Sequence, residues 1–337
     1  MPLEDAQYHE PSPSEFPPII DGDSINGKII QLPPQIIAGV VSLTEKLELA
    51  GGSKSFKTWS LIDMGLSVSS EIPWWGHQTF KHHVVYLNLE LSGPFFEFRL
   101  QEVAKARQVD IPAEFHIIHL RGHKLSKPDR WKAFLKYLEG LLHRFPNPLL
   151  ISDPIYKMLG GKNENSAGDI NEMMDQLEDL VQLTQGANAF GHHFTKGNQS
   201  DKDAIDRASG SGVFQRDPDT LLTMTKHEHD ECYSTNYIVR NHLPISDRVM
   251  EWHYPLFVPR TDLDPKDLKP RGAPSKYTVN QLVDVLGTRS MLTKAFQMRA
   301  SNEIGMTRST FYLLLKKADI SKLLVKNPIT EEWSKNI

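Results

Sequence analysis

The chain has 337 residues, with 38 Lys or Arg, 42 Asp or Glu, one cysteine and 39% hydrophobic residues. These values are typical of a soluble globular protein with about two domains, and they exclude collagen-like, coiled-coil and wholly disordered chains. The single Cys232 excludes an intramolecular disulfide framework. Because neither a secretory leader nor an apolar run of about 20 residues is visible, we expect a cytoplasmic protein with no membrane partner.

The charge is distributed unevenly along the chain. Residues 271–337 carry 11 Lys or Arg and 5 Asp or Glu, a balance of +6, whereas residues 1–270 carry 27 and 37, a balance of −10. A basic module after a larger acidic one indicates separate roles, and it favours an anionic partner such as DNA for the tail. The alternative is a solvated helical surface that happens to be basic.

The pattern along the chain predicts four parts. Residues 1–34 hold seven prolines and form an extended arm, residues 35–260 form an α/β domain, residues 261–275 are a charged, proline-rich linker, and residues 276–337 form a small helical domain. In the second part, strand-like runs alternate with amphipathic segments, which predicts a mostly parallel sheet flanked by helices and closed by antiparallel strands after about 219. The predicted strands are 47–50, 84–90, 116–120, 149–153, 187–192, 220–225 and 237–240, and the predicted helices are 57–70, 94–108, 128–144 and 168–185.

The segment after the first strand of this domain has the layout of a phosphate-binding loop (P-loop). Against the pattern G-x-x-x-x-G-K-[ST], Gly51, Lys57 and Thr58 match, and Phe56 replaces the second glycine. In such a loop backbone N–H groups cradle the phosphates of ATP, the lysine reaches the terminal phosphates and the threonine binds Mg²⁺. The predicted nucleotide-binding residues are Gly51, Gly52, Ser53, Lys54, Ser55, Phe56, Lys57, Thr58 and Trp59.

Phe56 is a departure from that pattern. Glycine tolerates positive φ and lets the backbone approach phosphate, whereas a phenylalanine with positive φ is an outlier. We therefore expect the Phe56 ring to point away from the nucleotide and Lys54 to add positive charge nearby. The alternative is an ordinary glycine turn before a helix that begins with threonine.

Acidic and basic side chains follow three later strands. Glu90 and Asp153 each end a predicted strand, and His192 and His193 end another, with Lys196 close behind. Because the carboxyl ends of parallel strands meet in one crevice, we expect both acids beside the phosphates, where one can hold Mg²⁺ and the other can activate water. Either acid could instead be a helix cap.

The histidines admit more than one interpretation. We interpret His192 or His193 as a sensor of the γ-phosphate, because zinc usually needs three or four protein ligands. A structural histidine is the alternative. His227 and His229 resemble a metal-binding pair, but their polar surroundings favour a charged hairpin turn.

Taken together with Asp206-Arg-Ala-Ser-Gly-Ser-Gly-Val213, these motifs resemble the RecA-like ATPases of the RepA type. That group includes a plasmid-encoded hexameric replicative helicase and AAA-family ATPases of mobile elements. The resemblance implies a RecA-like fold, ATP with Mg²⁺, and nucleotide bound between subunits of a homo-oligomeric ring. It also implies roles for individual residues: Lys57 and Thr58 as the P-loop pair, Glu90 as catalytic glutamate, Asp153 as the Mg²⁺-associated aspartate, His193 or His192 as the polar residue after the fourth strand, and Arg207 as arginine finger, with Lys196 as its rival.

The segment from Met291 to Lys317 reads as helix, glycine turn and helix, and a hairpin around Asn327-Pro328 could follow it. In a helix-turn-helix or winged-helix domain, the start of the second helix contacts DNA. The candidate DNA-binding residues are Arg308, Ser309, Thr310, Tyr312 and Lys326. A protein-interaction module is the alternative.

The sequence therefore predicts an ATP-hydrolysing motor that acts on DNA, a helicase-like replication protein of a plasmid, phage or integrated element, with replication proteins as possible partners. The competing hypothesis is an ATP-dependent DNA-binding regulator or loader with little turnover. A small-molecule kinase is disfavoured, because it would leave the second domain and Arg207 without a role.

Overall fold

The computed structural model describes residues 17–160, 166–194, 213–269, 277–320, 322–328 and 330–336. Arg207 and Lys196 lie outside these residues. In chain order the elements are β1 (Gln35–Ile37), β2 (Val41–Ser42), β3 (Lys46–Gly51), α1 (Lys57–Ser70), β4 (Val84–Asn88), α2 (Gly93–Arg107), β5 (Phe115–His119), α3 (Pro128–Glu139), β6 (Leu149–Asp153), α4 (Tyr156–Leu159), α5 (Ala167–Thr184), β7 (Ala187–His193), α6 (Val213–Arg216), β8 (Thr220–Lys226), β9 (Cys232–Val239), β10 (Arg248–His253), β11 (Leu256–Arg260), α7 (Val279–Leu286), β12 (Met291–Leu292), α8 (Thr293–Ile304), α9 (Arg308–Ile320), β13 (Leu324–Lys326) and β14 (Glu332–Lys335).

A nine-stranded sheet in the order β11-β10-β9-β8-β3-β7-β6-β4-β5 forms the centre of the molecule. The six strands from β8 to β5 run parallel, and β9, β10 and β11 extend the sheet by antiparallel pairing. The predicted α/β sheet closed by antiparallel strands is confirmed, but the expected boundary at about 219 is wrong, because β8 still pairs parallel with β3 and antiparallel pairing begins with β9. Because β3 lies between β7 and β8, its carboxyl end, where the P-loop begins, is central in the sheet.

Successive strand residues face opposite sides of this sheet, so each strand supplies two cores. Val84 and Tyr86 of β4 pack with α1 and α2, whereas Val85 and Leu87 pack with α3 and α5. Strands β3, β4 and β6 are buried along their whole length, as parallel strands covered by helices on both faces require. This packing fixes the sheet edge at which the four strand ends β3, β4, β6 and β7 meet.

Several element boundaries differ from the prediction. Helix α3 ends at Glu139, and Leu142–Arg144 form a separate 3-10 turn, because Gly140 follows the last helical residue. The strand predicted at 237–240 begins at Cys232 and ends at Val239, and β10 and β11 were not predicted. Pro259 lies within β11, where it is tolerated because β11 is an edge strand of the sheet.

The turn between β8 and β9 is a hairpin, as predicted, but it is not wholly solvated. His227 is 1% exposed, its Nε2 donates to the Asp264 carbonyl at 2.9 Å, and its Nδ1 accepts from the His229 amide. The amide of Glu228 also donates to the Asp267 carbonyl. Residues 264–267, in the predicted linker, therefore pack against this hairpin, and His227 has a structural role in it. Among the described residues no group of three or more His, Cys, Asp or Glu is arranged to hold a metal ion.

The C-terminal residues form a unit with its own core. Helices α7, α8 and α9 pack with a three-stranded antiparallel sheet in the order β12-β14-β13, and Phe296, Phe311 and Trp333 are among the buried residues. The hairpin around Asn327-Pro328 is confirmed.

Within the part of the chain that the structure describes, no helix is both long and apolar enough to cross a membrane.

A glycine on β7 makes room for the acid at the end of β6. A Cβ at Gly191 would lie 2.7 Å from Asp153 Oδ1 and 3.1 Å from Leu61 Cδ1. Asp153 is itself 4% exposed, and its Oδ2 accepts a hydrogen bond from the Tyr86 hydroxyl at 2.9 Å. The carboxylate therefore cannot move away from an added Cβ at Gly191 without losing its hydrogen bond with Tyr86.

We expect Gly191→Ala to lower the free energy of unfolding by about 1–3 kcal/mol, because the new methyl group overpacks the Asp153 site. Urea denaturation followed by circular dichroism measures the change. Gly168→Ala is the matched control, since its Cβ would meet only Ser166 Oγ at 3.9 Å. Equal stability of the two variants would contradict the steric role of Gly191.

Candidate nucleotide site

The P-loop joins the fully buried strand β3 to helix α1, whose first residue is Lys57. The first N–H groups of a helix lack intrahelical partners and carry partial positive charge, so they favour an anion at this position. The loop reaches the helix through two non-glycine residues with positive φ, Lys54 at 61° and Phe56 at 59°. Its backbone is thus shaped like a glycine-rich loop although glycine occupies only its first two positions.

Phe56 keeps the backbone conformation that glycine would have, and its ring lies against the β10–β11 hairpin. The ring stacks on Trp252 with centroids 4.1 Å apart and planes 7° apart, and it meets the edge of Phe257 at 6.2 Å. A left-handed conformation costs a bulky residue roughly 1–3 kcal/mol. Aromatic pairs contribute roughly 0.5–1.5 kcal/mol each beyond the burial of their area, so two such pairs can offset much of that cost.

The ammonium of Lys57 is buried at the centre of the site. It donates to the carbonyls of Gly51 at 3.0 Å and Gly52 at 2.9 Å, and it lies 3.1 Å from His193 Nδ1. Burial lowers the pKa of Lys57 to about 8, although the Asp153 carboxylate acts in the opposite direction. The lysine is thus held by neutral acceptors, and phosphate oxygens would be stronger acceptors for the same protons.

His193 faces this lysine as a neutral imidazole. Burial, followed by the Lys57 charge, lowers the pKa of His193 to about 4. Because the lysine can only donate, Nδ1 accepts and the ring proton belongs on Nε2. His192 points to the other face of β7, where its Nδ1 lies 2.8 Å from Glu48 Oε1 in a buried pair. Of the two predicted histidines, His193 is the one beside Lys57.

Thr58 and Asp153 bring oxygen-bearing side chains to the same cavity. The Tyr86 hydroxyl donates to the Asp153 carboxylate at 2.9 Å. Burial raises the pKa of Asp153 above its ordinary value, whereas the neighbouring Thr58 hydroxyl, the hydrogen bond from Tyr86 and the charge of Lys57 lower it. A hydroxyl and a carboxylate are the donor set that Mg²⁺ prefers, so these residues fit that ion.

Glu90 lies two residues beyond β4, in a turn that its neighbours define. Asn88 Oδ1 accepts from the Leu91 amide at 3.0 Å, while its Nδ2 donates to the Leu91 carbonyl at 2.9 Å. The exposed Glu90 carboxylate accepts from the Tyr156 hydroxyl at 3.0 Å. The Asn88 contacts stabilise the turn, and the Tyr156 contact orients the carboxylate. Neither Asn88 nor Tyr156 was predicted from the sequence as a site residue.

Lys57, Thr58, Glu90, Asp153 and His193 all line one cavity of about 380 Å³. Its lining residues are Lys54, Ser55, Phe56, Lys57, Thr58, Trp59, Glu90, Arg99, Asp153, Pro154 and His193. Gly51, Gly52 and Ser53 are in the same loop but do not line the cavity. Arg99, on α2, was missed by sequence reasoning, and its guanidinium lies 5.0 Å from the centroid of the Trp59 ring. A lone arginine on a helix gives no sequence signal of this placement.

The candidate DNA-binding residues lie apart from this cavity, in the C-terminal unit. Arg308 and Ser309 are exposed at the start of α9, Thr310 is half-buried, and Tyr312 is 44% exposed. The Arg308 guanidinium lies 5.9 Å from the Tyr312 ring centroid. Lys326 is exposed at the end of β13, 3.9 Å from Glu331.

The fold and the site define a RecA-like P-loop ATPase domain. The chain belongs to the family described as AAA domain, whose model matches residues 10–199. A solved structure described as an ATPase domain aligns with a TM-score of 0.51 and 12% sequence identity, over 70% of this chain and 93% of that chain. At that identity the likeness shows the fold alone. No curated protein matches the chain in sequence.

The depressed pKa of Lys57 predicts a pH dependence of phosphate binding. Above pH 8 the lysine loses the charge that attracts phosphate, so the Kd for MgADP is expected to rise toward about tenfold per pH unit. Isothermal titration calorimetry between pH 7.5 and 9.5 measures this slope. Lys57→Arg is the control, because a guanidinium stays charged over this range and the slope should vanish. A wild-type Kd that stays constant to pH 9.5 would contradict the prediction.

Proposed function

We propose that this protein is an ATP-hydrolysing motor of the RepA type that acts on DNA, a helicase-like replication protein of a plasmid, phage or integrated element. The observation that carries the proposal is the convergence of Lys57, Thr58, Glu90, Asp153 and His193 on one cavity. These residues come from four separate segments of the chain, and each has the chemistry that phosphoryl transfer to water requires.

Nucleotide binding is assigned to the loop and the start of α1. The N–H groups of the loop would surround the β- and γ-phosphates of ATP, and Lys57 would exchange its backbone acceptors for phosphate oxygens. Thr58 and Asp153 would hold Mg²⁺, which when bound neutralises charge on the phosphates. The placement of Thr58 and Asp153 in the same cavity as Lys57 supports this assignment.

Hydrolysis is assigned to Glu90 as the group that orients and deprotonates the attacking water. Its exposed carboxylate, held by Tyr156, is free to receive a proton. His193 stays neutral at physiological pH, so its Nε2–H can donate to a γ-phosphate oxygen and report its presence. Arg99 supplies a further positive group within the same chain.

A homo-oligomer, a hexameric ring by resemblance, would complete the site from a neighbouring subunit. Arg207, or its rival Lys196, would be the arginine finger, a role that rests on the resemblance alone. The C-terminal unit, with three helices and a three-stranded sheet, supports a winged-helix domain in which α9 contacts DNA. Its positive balance supports a DNA partner over a replication protein.

The experiment that tests the motor compares ATP hydrolysis by wild type, Lys57→Ala and Glu90→Gln, with and without single-stranded DNA, alongside the oligomer mass. Lys57→Ala is expected to weaken ATP binding by about tenfold or more, because a charge-assisted contact is lost. Glu90→Gln is expected to bind ATP normally and to hydrolyse it about 100-fold more slowly, because an amide cannot act as base. Unimpaired hydrolysis in both variants would refute these roles.

Strand displacement separates the motor from the alternative, an ATP-dependent DNA-binding regulator or loader with little turnover. A motor displaces a strand only while it hydrolyses ATP, so the Glu90→Gln variant should lose displacement together with hydrolysis. DNA binding that needs ATP but continues undiminished in Glu90→Gln, without displacement by wild type, would favour the loader.

DNA binding by the tail has its own test. Arg308→Ala is expected to reduce the slope of log affinity against log salt by about 1, because one phosphate contact is lost. Removal of residues 276–337 should flatten the slope further and leave ATP binding intact. Fluorescence anisotropy of a labelled duplex over a salt series measures both. Lys132→Ala, an equal change of charge at an exposed site on α3, is the matched control. Unchanged slopes for Arg308→Ala and the truncated protein would assign the tail to protein interactions.

A further inference from the structure

The β10–β11 hairpin contacts both residues that flank the Lys57-Thr58 pair. On one side Phe56 stacks on Trp252 with centroids 4.1 Å apart. On the other side Trp59 contacts Trp252 at 6.1 Å and Tyr254 at 5.3 Å between ring centroids. The two residues that bind phosphate and Mg²⁺ in the proposed function are therefore bracketed by aromatic contacts with one hairpin.

Phe56 also fixes the first turn of α1 through its backbone. Its carbonyl accepts from the Ser60 amide at 3.1 Å and from the Ser60 hydroxyl at 3.3 Å. A displacement of Phe56 would therefore shift the N–H groups at the start of the helix. These are the groups that the phosphates would meet.

The conformation of Phe56 needs an external support. Its φ of 59° and ψ of 21° lie in the left-handed region, which a phenylalanine leaves readily unless its surroundings hold it there. The support is aromatic on several sides, since Trp252, Phe257 and Tyr233 all contact the ring. Trp252 is the one that lies parallel to the ring, and its own contacts with Phe257 and Tyr254 keep it in position.

We infer that Trp252 is a positioning residue for the nucleotide site: it holds Phe56 in the left-handed conformation and thereby sets the shape of the phosphate loop. The contact with the hairpin compensates for the missing second glycine of the loop pattern. Stacking on Trp252 holds Phe56 in a left-handed backbone conformation that glycine adopts without support. This inference rests on the proposed function, because it concerns the affinity of the same site. It differs from ordinary core packing in one respect: the need for Trp252 disappears when residue 56 is a glycine.

That dependence gives the decisive comparison. Trp252→Ala is expected to weaken MgADP binding by about tenfold, because Phe56 then relaxes out of the left-handed region. Trp252→Phe keeps a stacking ring and should bind within about threefold of wild type. The double variant Phe56→Gly/Trp252→Ala should also recover to within about threefold, because glycine populates this conformation without support. Isothermal titration calorimetry with MgADP measures all four proteins, and thermal denaturation confirms that each is folded.

Two results of this titration would overturn the inference. One is a Trp252→Ala variant that is folded and binds MgADP as wild type does. The other is a double variant that binds as weakly as Trp252→Ala, which would make Trp252 a packing residue whose loss damages the site in a general way.

A second measurement without nucleotide separates this inference from the proposed function. Amide hydrogen exchange in residues 52–58 of the nucleotide-free protein is expected to be at least about fivefold faster in Trp252→Ala, while residues 149–153 in β6 are unchanged. Equal exchange in the loop would overturn the positioning role. A wild-type protein that binds neither MgADP nor MgATP would instead refute the proposed function, and the exchange rates would still decide whether the hairpin shapes the loop.

Discussion

The parallel pairing of β3 with β7, and of β6 with β4, is the constraint on which the site depends. Parallel strands bring their carboxyl ends to one edge of the sheet, and each strand continues there into a polar segment. Gly51, Asn88, Asp153 and His193 end these four strands, so residues far apart in sequence meet without any further folding step. The two apolar cores on either face of the sheet hold that edge in place.

Burial has opposite effects on the acid and the base that meet at this edge. It lowers the pKa of Lys57 to about 8 and raises that of Asp153, while the attraction between the two groups acts against both shifts. Burial, followed by the charge of the lysine, lowers the pKa of the neighbouring His193 to about 4 and keeps its ring neutral. The site therefore holds its cation among neutral acceptors, and a polyanion can take their place without first displacing a tight ion pair.

The antiparallel extension of the sheet contacts the loop that joins β3 to α1. Strands β10 and β11 lie at one end of the sheet, yet their hairpin reaches back to the start of α1 through Trp252 and Tyr254. The loop that departs from the glycine pattern is thus completed by a distant part of the chain. In this loop the positive φ of Phe56 coincides with the stacking contact from Trp252 of that hairpin.

The sequence by itself determined the local features, because each depends on residues close together in the chain. The alternation of apolar runs predicted the parallel sheet, and the spacing of Gly51, Lys57 and Thr58 predicted the strand, loop and helix that the structure contains. Glu90 and Asp153 were predicted to lie near the loop because the ends of parallel strands share an edge, and both line the cavity. Only the tertiary structure decided which side chains approach that edge from elsewhere: Arg99 from α2, Tyr156 after β6, and Trp252 behind Phe56. It also selected His193 over His192, since neighbouring strand residues face opposite sides and no pattern in the sequence marks which side holds the lysine.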